Sequence, residues 1–260
     1  MSNSADRQVP SDAEAHGPGC TRAHAWRLGL GTVLLLSGVI LTTPKAHGHE
    51  IPTFDEAYLQ GVFAPRFTPP AAGTYELPVI KRVPGFVLTD ALGRRVNTRA
   101  LTQGKVAVIS FIYTACTDRL GCPLASVALR ELQAKLLQDG LQQHAVLLSI
   151  SLDPERDTPA RLDKYARLFW ADPSVWRFLT ASSERALRPV LESYGQDRAR
   201  VYDEQGRFTG RYRHVLKVFL MDREGQIRNI YSTGFLVPQV VVNDIKTLLP
   251  TGTPSPTQAR

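Results

Sequence analysis

Lys105 to Tyr113 reads KVAVISFIY, a near-continuous apolar run. Such a run fits a central strand buried on both faces. Ala145 to Leu152 repeats the pattern. Between the two runs, Leu124, Ala128, Leu132 and Leu136 fall four apart and end at Asp139-Gly140. That spacing gives one apolar helical stripe, and Pro123 suits its first position, with Cys122 at or near the cap. Thr158-Pro159 opens a second helix with Leu162, Tyr165, Ala166 and Phe169 on one face. Trp176 to Thr180 reads as a short strand, and Ser182 or Ser183 caps a helix reaching Tyr194-Gly195. Val215–Met221 and Gln226–Tyr231 flank Asp222-Arg223-Glu224-Gly225, the signature of a hairpin. Pro238 opens a last helix through Leu249, and Gly85–Asp90 supplies a first short strand turned by Ala91-Leu92-Gly93.

The order β, β, α, β, α, β, α, β-hairpin, α predicts the α/β class. Parallel crossovers closed by a hairpin and a helix suggest a thioredoxin-like fold: a central mixed sheet flanked by helices, with a β-hairpin insertion and an N-terminal arm. The domain is expected over 81–249. Residues 49–80 read as the irregular arm, punctuated by Pro52, Pro65, Pro69, Pro70 and Gly73. The Pro/Thr/Ser-rich stretch 250–260 reads as a disordered tail. Residues 1–48 read as a signal peptide or membrane anchor. Arg22 and Arg27 precede an apolar run over 28–41, and Ala46-His47-Gly48 follows as a small-residue site. The run is short against the roughly 20 residues of a bilayer span. The expected location is the periplasm or cell envelope, with membrane association through 28–41 in the uncleaved case. Cys20 lies before the run, so it is not the lipid-bearing cysteine of an exported lipoprotein.

Composition changes this picture little. With 43% hydrophobic and 21% charged residues in 260, the chain can bury an ordinary core and needs no covalent staple. The net charge is +7, of which residues 1–48 supply only +1. A moderately basic domain favours acidic partners or an anionic surface. No dense Lys/Arg stripe with interleaved aromatics is present, which argues against nucleic acid.

The candidate chemistry sits in FIYTACTDRLGCPLAS, residues 111–126, where a strand meets a helix. In open α/β sheets ligands gather at such strand ends. Cys116 and Cys122 are separated by five residues, a wide gap for a redox dithiol. Three readings stand at this point. The pair could be a structural disulfide. It could be a redox couple, with the Cys122 thiolate favoured by a helix N-terminus and Arg119 nearby. It could also supply two soft ligands, and with one imidazole would suit Cu(I), whereas Zn(II) asks for a fourth donor. His49, His144 and His214 are the candidate imidazoles after the export segment. His214 stands at the start of the hairpin segment, on the side expected to meet the cysteine loop. Cleavage after Ala46 would also leave His47-Gly48-His49 at a free amino terminus, a Cu(II)-capable arrangement, against which Pro44 argues.

Three segments together resemble the Sco/SenC family: FIYTACTDRLGCP, SLDPERDTPARLDKYARLF and RHVLKVFLMDREG. Their order and spacing agree with that family over about residues 80–249. The resemblance implies a copper site (Cu(I) or Cu(II)) with Cys116, Cys122 and His214 as ligands. It also implies a role in assembling the copper centre of cytochrome c oxidase or a related cuproenzyme, by donating copper, reducing thiols, or both. The implied partners are a copper-receiving subunit and a copper donor or thiol reductant. Asp153 matches an acidic residue near that site. A periplasmic thiol-disulfide oxidoreductase using Cys116 and Cys122 without metal is the alternative, so enzymatic activity stays open. Two features depart from the family pattern. The cysteine loop is two residues longer than C-x-x-x-C, with proline only after Cys122, and Arg213 stands where the family has Asp.

Overall fold

The computed structural model describes residues 67–250. The expected export segment 1–48, the start of the arm and the tail beyond 250 lie outside the described residues, as do Cys20, His47 and His49. Every residue of β4 (Val106–Ile112) and β5 (Ala145–Ser151) is buried, as their unbroken apolar runs predict. They pair in parallel, and β5 pairs in parallel with β6 (Trp176–Thr180). Helix α2 (Cys122–Gln138) and helix α3 (Pro159–Leu168) make the crossovers. Strands β2 (Val87–Asp90) and β3 (Arg95–Asn97) extend the β6 edge antiparallel, followed by the short helix α1 (Thr98–Thr102). On the other side, β9 (Val218–Met221) pairs antiparallel with β4, β10 (Gln226–Tyr231) with β9, and β1 (Lys81–Arg82) with β10. The eight-stranded order is β1-β10-β9-β4-β5-β6-β2-β3. The thioredoxin-like expectation of a mixed sheet flanked by helices therefore holds.

Local chemistry explains the helix ends. Thr158 caps α3 by accepting from the Arg161 N–H. Ser183 caps α4 (Glu184–Tyr194) by accepting from Ala186, and Gly195 ends it at φ +62°, a left-handed turn that glycine adopts without strain. Helix α2 has Pro123 in its first turn, but its cap position is Gly121, which has no side chain to receive the free N–H groups. Those donors therefore remain directed toward the loop that carries the cysteines.

The expected hairpin over 215–231 is present as β9–β10, although β9 begins at Val218 and belongs to the main sheet. A second hairpin escaped the pattern. Strands β7 (Arg198–Tyr202) and β8 (Phe208–His214) form a separate two-stranded sheet, and this is the true insertion. Its turn is signalled only by Asp203 and by Gly206 at φ +73°. Helix α5 (Pro238–Leu248) closes the chain. Residues 67–80 carry no strand or helix, and they are tied down. Tyr75 bonds to Asp244, Gly73 N–H donates to Thr247 Oγ1 at 2.9 Å, and the Arg228 guanidinium donates to the Leu77 carbonyl. Among the described residues no helix is long and apolar enough to cross a membrane.

Candidate metal centre

Strand β4 carries the chain to Tyr113, where the backbone leaves the sheet. The Cys116 N–H donates to the Tyr113 carbonyl at 3.1 Å, and the Gly121 N–H to the Asp118 carbonyl at 3.0 Å. Asp118 also accepts from the Leu120 N–H at 3.0 Å. The chain from Tyr113 to Gly121 thus makes two hydrogen-bonded turns, and the five residues between the cysteines are not a slack span. They return the chain so that Cys122 begins α2, fully buried, while Cys116 stays half-exposed. Both are free thiols.

The two sulfurs share a hydrogen bond. It holds the Cys116 thiol far below its ordinary range, against the effect of burial and with help from His214. The same bond, together with burial, pushes Cys122 well up. Between the two, Cys116 is the thiol favoured as thiolate and Cys122 the one that keeps its proton. Cys116 Sγ also lies 3.9 Å from the Asp118 carbonyl.

His214 is the last residue of β8, and its Nε2 lies 3.7 Å from Cys122 Sγ. Its Nδ1 is buried and has no hydrogen-bond partner. Two ligands of one soft ion, at about 2.3 Å for sulfur and about 2.0 Å for nitrogen, stand roughly 3.5–3.7 Å apart at tetrahedral to trigonal angles. The Cys122–His214 edge already has that length. Among the described residues no three His, Cys, Asp or Glu side chains form a ready metal site. Cys116 already interacts with both Cys122 and His214, so the three donors share one place at the mouth of the loop. The donor set of two sulfurs and an imidazole fits a soft, low-coordinate ion.

Aromatic rings frame these donors. The His214 ring packs edge-on to Tyr113 with centroids 6.0 Å apart. Burial and a hydrogen bond to Cys116 push the Tyr113 hydroxyl up to about 12. The Tyr212 N–H reaches that hydroxyl at 3.4 Å, and the Tyr212 hydroxyl donates to Asp153 Oδ1 at 3.2 Å. Asp153 is thus buried and does not touch the three donors. It supports Tyr212 and pairs with Arg156, whose guanidinium also donates to the Gly210 carbonyl. The sequence passes over a second aspartate of the same segment. Asp157 accepts from the Thr114 N–H at 3.1 Å, from the Thr114 hydroxyl at 2.5 Å and from the Ser151 hydroxyl at 2.6 Å. It fixes the turn two residues before Cys116, and burial raises its carboxyl above the ordinary 3.8. The D-P-E-R-D-T-P spelling carried both acids, but a helix approach explains either of them equally well. His144 sits just before β5, beside the start of β4, a strand length from the cysteines.

The SCO1/SenC family model matches residues 79–250, which is most of the chain. The chain belongs to the SCO1/SenC family. A curated relative, the SCO1 protein homolog of Bacillus subtilis, is 26% identical over 171 residues, covering 65% of this chain and 83% of the relative. The structure of Bradyrhizobium japonicum ScoI with copper bound is 28% identical, with a TM-score of 0.54, covering 65% of this chain and 99% of that one. A third similar protein is BsSco, a member of the Sco family of cytochrome c oxidase assembly proteins in which a disulfide switch was identified. It is 25% identical with a TM-score of 0.54, covering 66% of this chain and 95% of that one. Against the usual SCO1/SenC pattern, Arg213 alternates with the buried Tyr212, so its guanidinium projects outward.

Proposed function

We propose that this SCO1/SenC protein is exported and carries copper in the cell envelope through Cys116, Cys122 and His214. It passes the ion to the copper-receiving subunit of cytochrome c oxidase or a related cuproenzyme. The observation that carries this reading is the 3.7 Å Cys122–His214 edge beside the half-exposed free thiol of Cys116. Copper is the cargo rather than a reagent. The chain's part is to offer two sulfurs and a nitrogen, to give up thiol protons as Cu(I) binds, and to keep Cys122 buried on the α2 side. The buried Cys122 and the half-exposed Cys116 divide the labour: Cys122 anchors the ion, and Cys116 meets the exchanging partner.

Cu(I) titration of the reduced full chain against a competing chelator tests the site. Separate Cys116→Ala, Cys122→Ala and His214→Ala variants should each lose affinity, and unchanged affinity in the histidine variant would remove the three-donor reading. One observation favours a second reading as a thiol-disulfide oxidoreductase. An accessible thiolate paired with a buried, protonated thiol is the usual division between an attacking and a resolving cysteine. Metal-free reduction of a disulfide substrate at a rate unaffected by His214→Ala would select it. Mass spectrometry of the mature amino terminus, with envelope fractionation, tests export and the fate of residues 28–41.

A further inference from the structure

We propose that the β7–β8 hairpin is the docking wall for a partner protein, and that it selects an acidic segment flanking that partner's own thiols. This rests on the reading of Cys116 and Cys122 as exchange thiols. Residues 198–214 contain Arg198, Arg200, Arg207, Arg211 and Arg213 against Asp203 and Glu204. Arg198 and Arg200 are engaged with Glu184, Arg200 also with Glu155, and Arg207 with Asp203. Arg211 and Arg213 have no carboxylate partner among the described residues. Both are exposed, and both lie on one face of the hairpin, because Tyr212 between them turns inward.

That face forms one wall of a cleft of about 450 Å³ that also contains Cys116, Asp118, Gly121 and His214. The carboxylate of Asp118 is already occupied by the Leu120 N–H. The cleft therefore has a loop side, which carries Cys116 and Asp118 with Arg119 next in the chain, and a basic hairpin side with two unused guanidinium forks. An approaching thiol or thiolate-bound ion must pass Cys116, so an acid placed beside that thiol meets Arg211 and Arg213. Large apolar side chains stand exposed nearby in the chain: Leu120 in the cysteine loop, Val215 directly after His214, and Phe235 two residues beyond Thr233, another cleft residue. Arginine mixed with exposed apolar and aromatic groups is the composition of a protein interface rather than of a small-molecule pocket. Arg213, the residue that departs from the family pattern, thereby gains a role in choosing the partner.

The test reads thiol exchange and needs no metal. Two synthetic peptides carry one cysteine activated as its 2-thiopyridyl disulfide, flanked by Asp and Glu in one and by Lys in the other. The Cys116 thiolate attacks the peptide sulfur and forms a new S–S bond. The bond to the leaving group breaks, and pyridine-2-thione departs with the electron pair and a solvent proton. The first-turnover rate is followed by thione release from the full chain. At low ionic strength the acidic peptide should react about tenfold faster or more, with the gap closing as salt is added. Arg211→Gln/Arg213→Gln should abolish the preference, and Arg211→Glu/Arg213→Glu should reverse it. Equal rates for the two peptides, or a preference that survives both double variants, would overturn the proposal. Oxidised glutathione reacting as fast as the acidic peptide would also overturn it, in favour of a small anionic thiol. A retained charge preference in a protein that binds no Cu(I) would count against the copper reading alone.

Discussion

The two cysteines and the histidine are held by different kinds of structure. Cys122 begins a helix whose inner face is buried against a sheet, and Cys116 hangs from β4, every residue of which is buried. His214 comes instead from a two-stranded hairpin with one buried residue, Tyr212. Polar and stacking contacts hold that hairpin in place. Arg156 reaches Gly210 and lies 5.0 Å from the Phe208 ring centroid, while Arg198 lies 4.5 Å from that of Tyr212. The sulfur half of the site thus inherits the stability of the core. The nitrogen half depends on the ion pairs of Arg198 and Arg200 with Glu184 and Glu155, on the Tyr212–Asp153 hydrogen bond and on cation–π contacts worth roughly 0.5–2 kcal/mol each. A site built this way can keep its thiols fixed and let the imidazole come and go.

The sharpest break in that contrast is Cys122→Ala. It should lower Cu(I) affinity by about 100-fold or more, since it removes a buried soft ligand and the sulfur that lies against His214. Chelator competition reads this directly. Next comes the hairpin latch. Arg156→Ala frees the Gly210 carbonyl and leaves the buried Asp153 without its ion pair, a loss of about 3 kcal/mol. Amide exchange should quicken across 198–214 and stay unchanged in β4. Equal loosening of both would show that the halves are not independent. Gly210→Ala is the milder version. A Cβ there would meet Arg156 Nη1 at 2.2 Å, and φ is +79°, so the guanidinium must move aside. A loss of about 1–2 kcal/mol in urea unfolding is expected, with affinity falling about as far as in His214→Ala.

The smallest effect concerns the cysteine side. The Asp157 carboxyl is raised by burial, so between its ordinary 3.8 and its folded value the native state holds more protons than the unfolded one. Stability from this group is greatest below 3.8 and is lost as pH rises through the folded pKa. The urea midpoint of Asp157→Asn, which cannot ionise, should therefore gain on wild type as pH rises through that window. A constant difference between the two would show that Asp157 is not the group responsible.

How much of this could be read beforehand follows the same division. The strands KVAVISFIY and AVLLSIS, and helix α2, announce themselves because burial on both faces writes unbroken apolar runs. Cys116, Cys122 and His214 were legible as candidates from residue type and from the family resemblance. The hairpin was not, because its strands alternate arginine with small or aromatic residues and pack by stacking, which leaves no apolar period. For the same reason His214 was placed at the start of β9 rather than at the end of β8. Asp157 was hidden by Thr158: the threonine caps α3 in the expected way, while its neighbour turns back to Thr114. Tyr113 read only as the end of an apolar strand run and Tyr212 was not singled out; both are buried, and their hydroxyls carry the second role.

The opposed leanings of Cys116 toward thiolate and of Cys122 toward thiol have a further consequence. If Cu(I) takes the place of one thiol proton there, one monovalent cation replaces another, and the net charge of the site stays the same. Loaded and empty protein would then present the same long-range field to whatever approaches the hairpin. An acidic partner would be drawn to both alike, and the difference between giving and taking copper would have to be read at contact distance, by the sulfurs themselves.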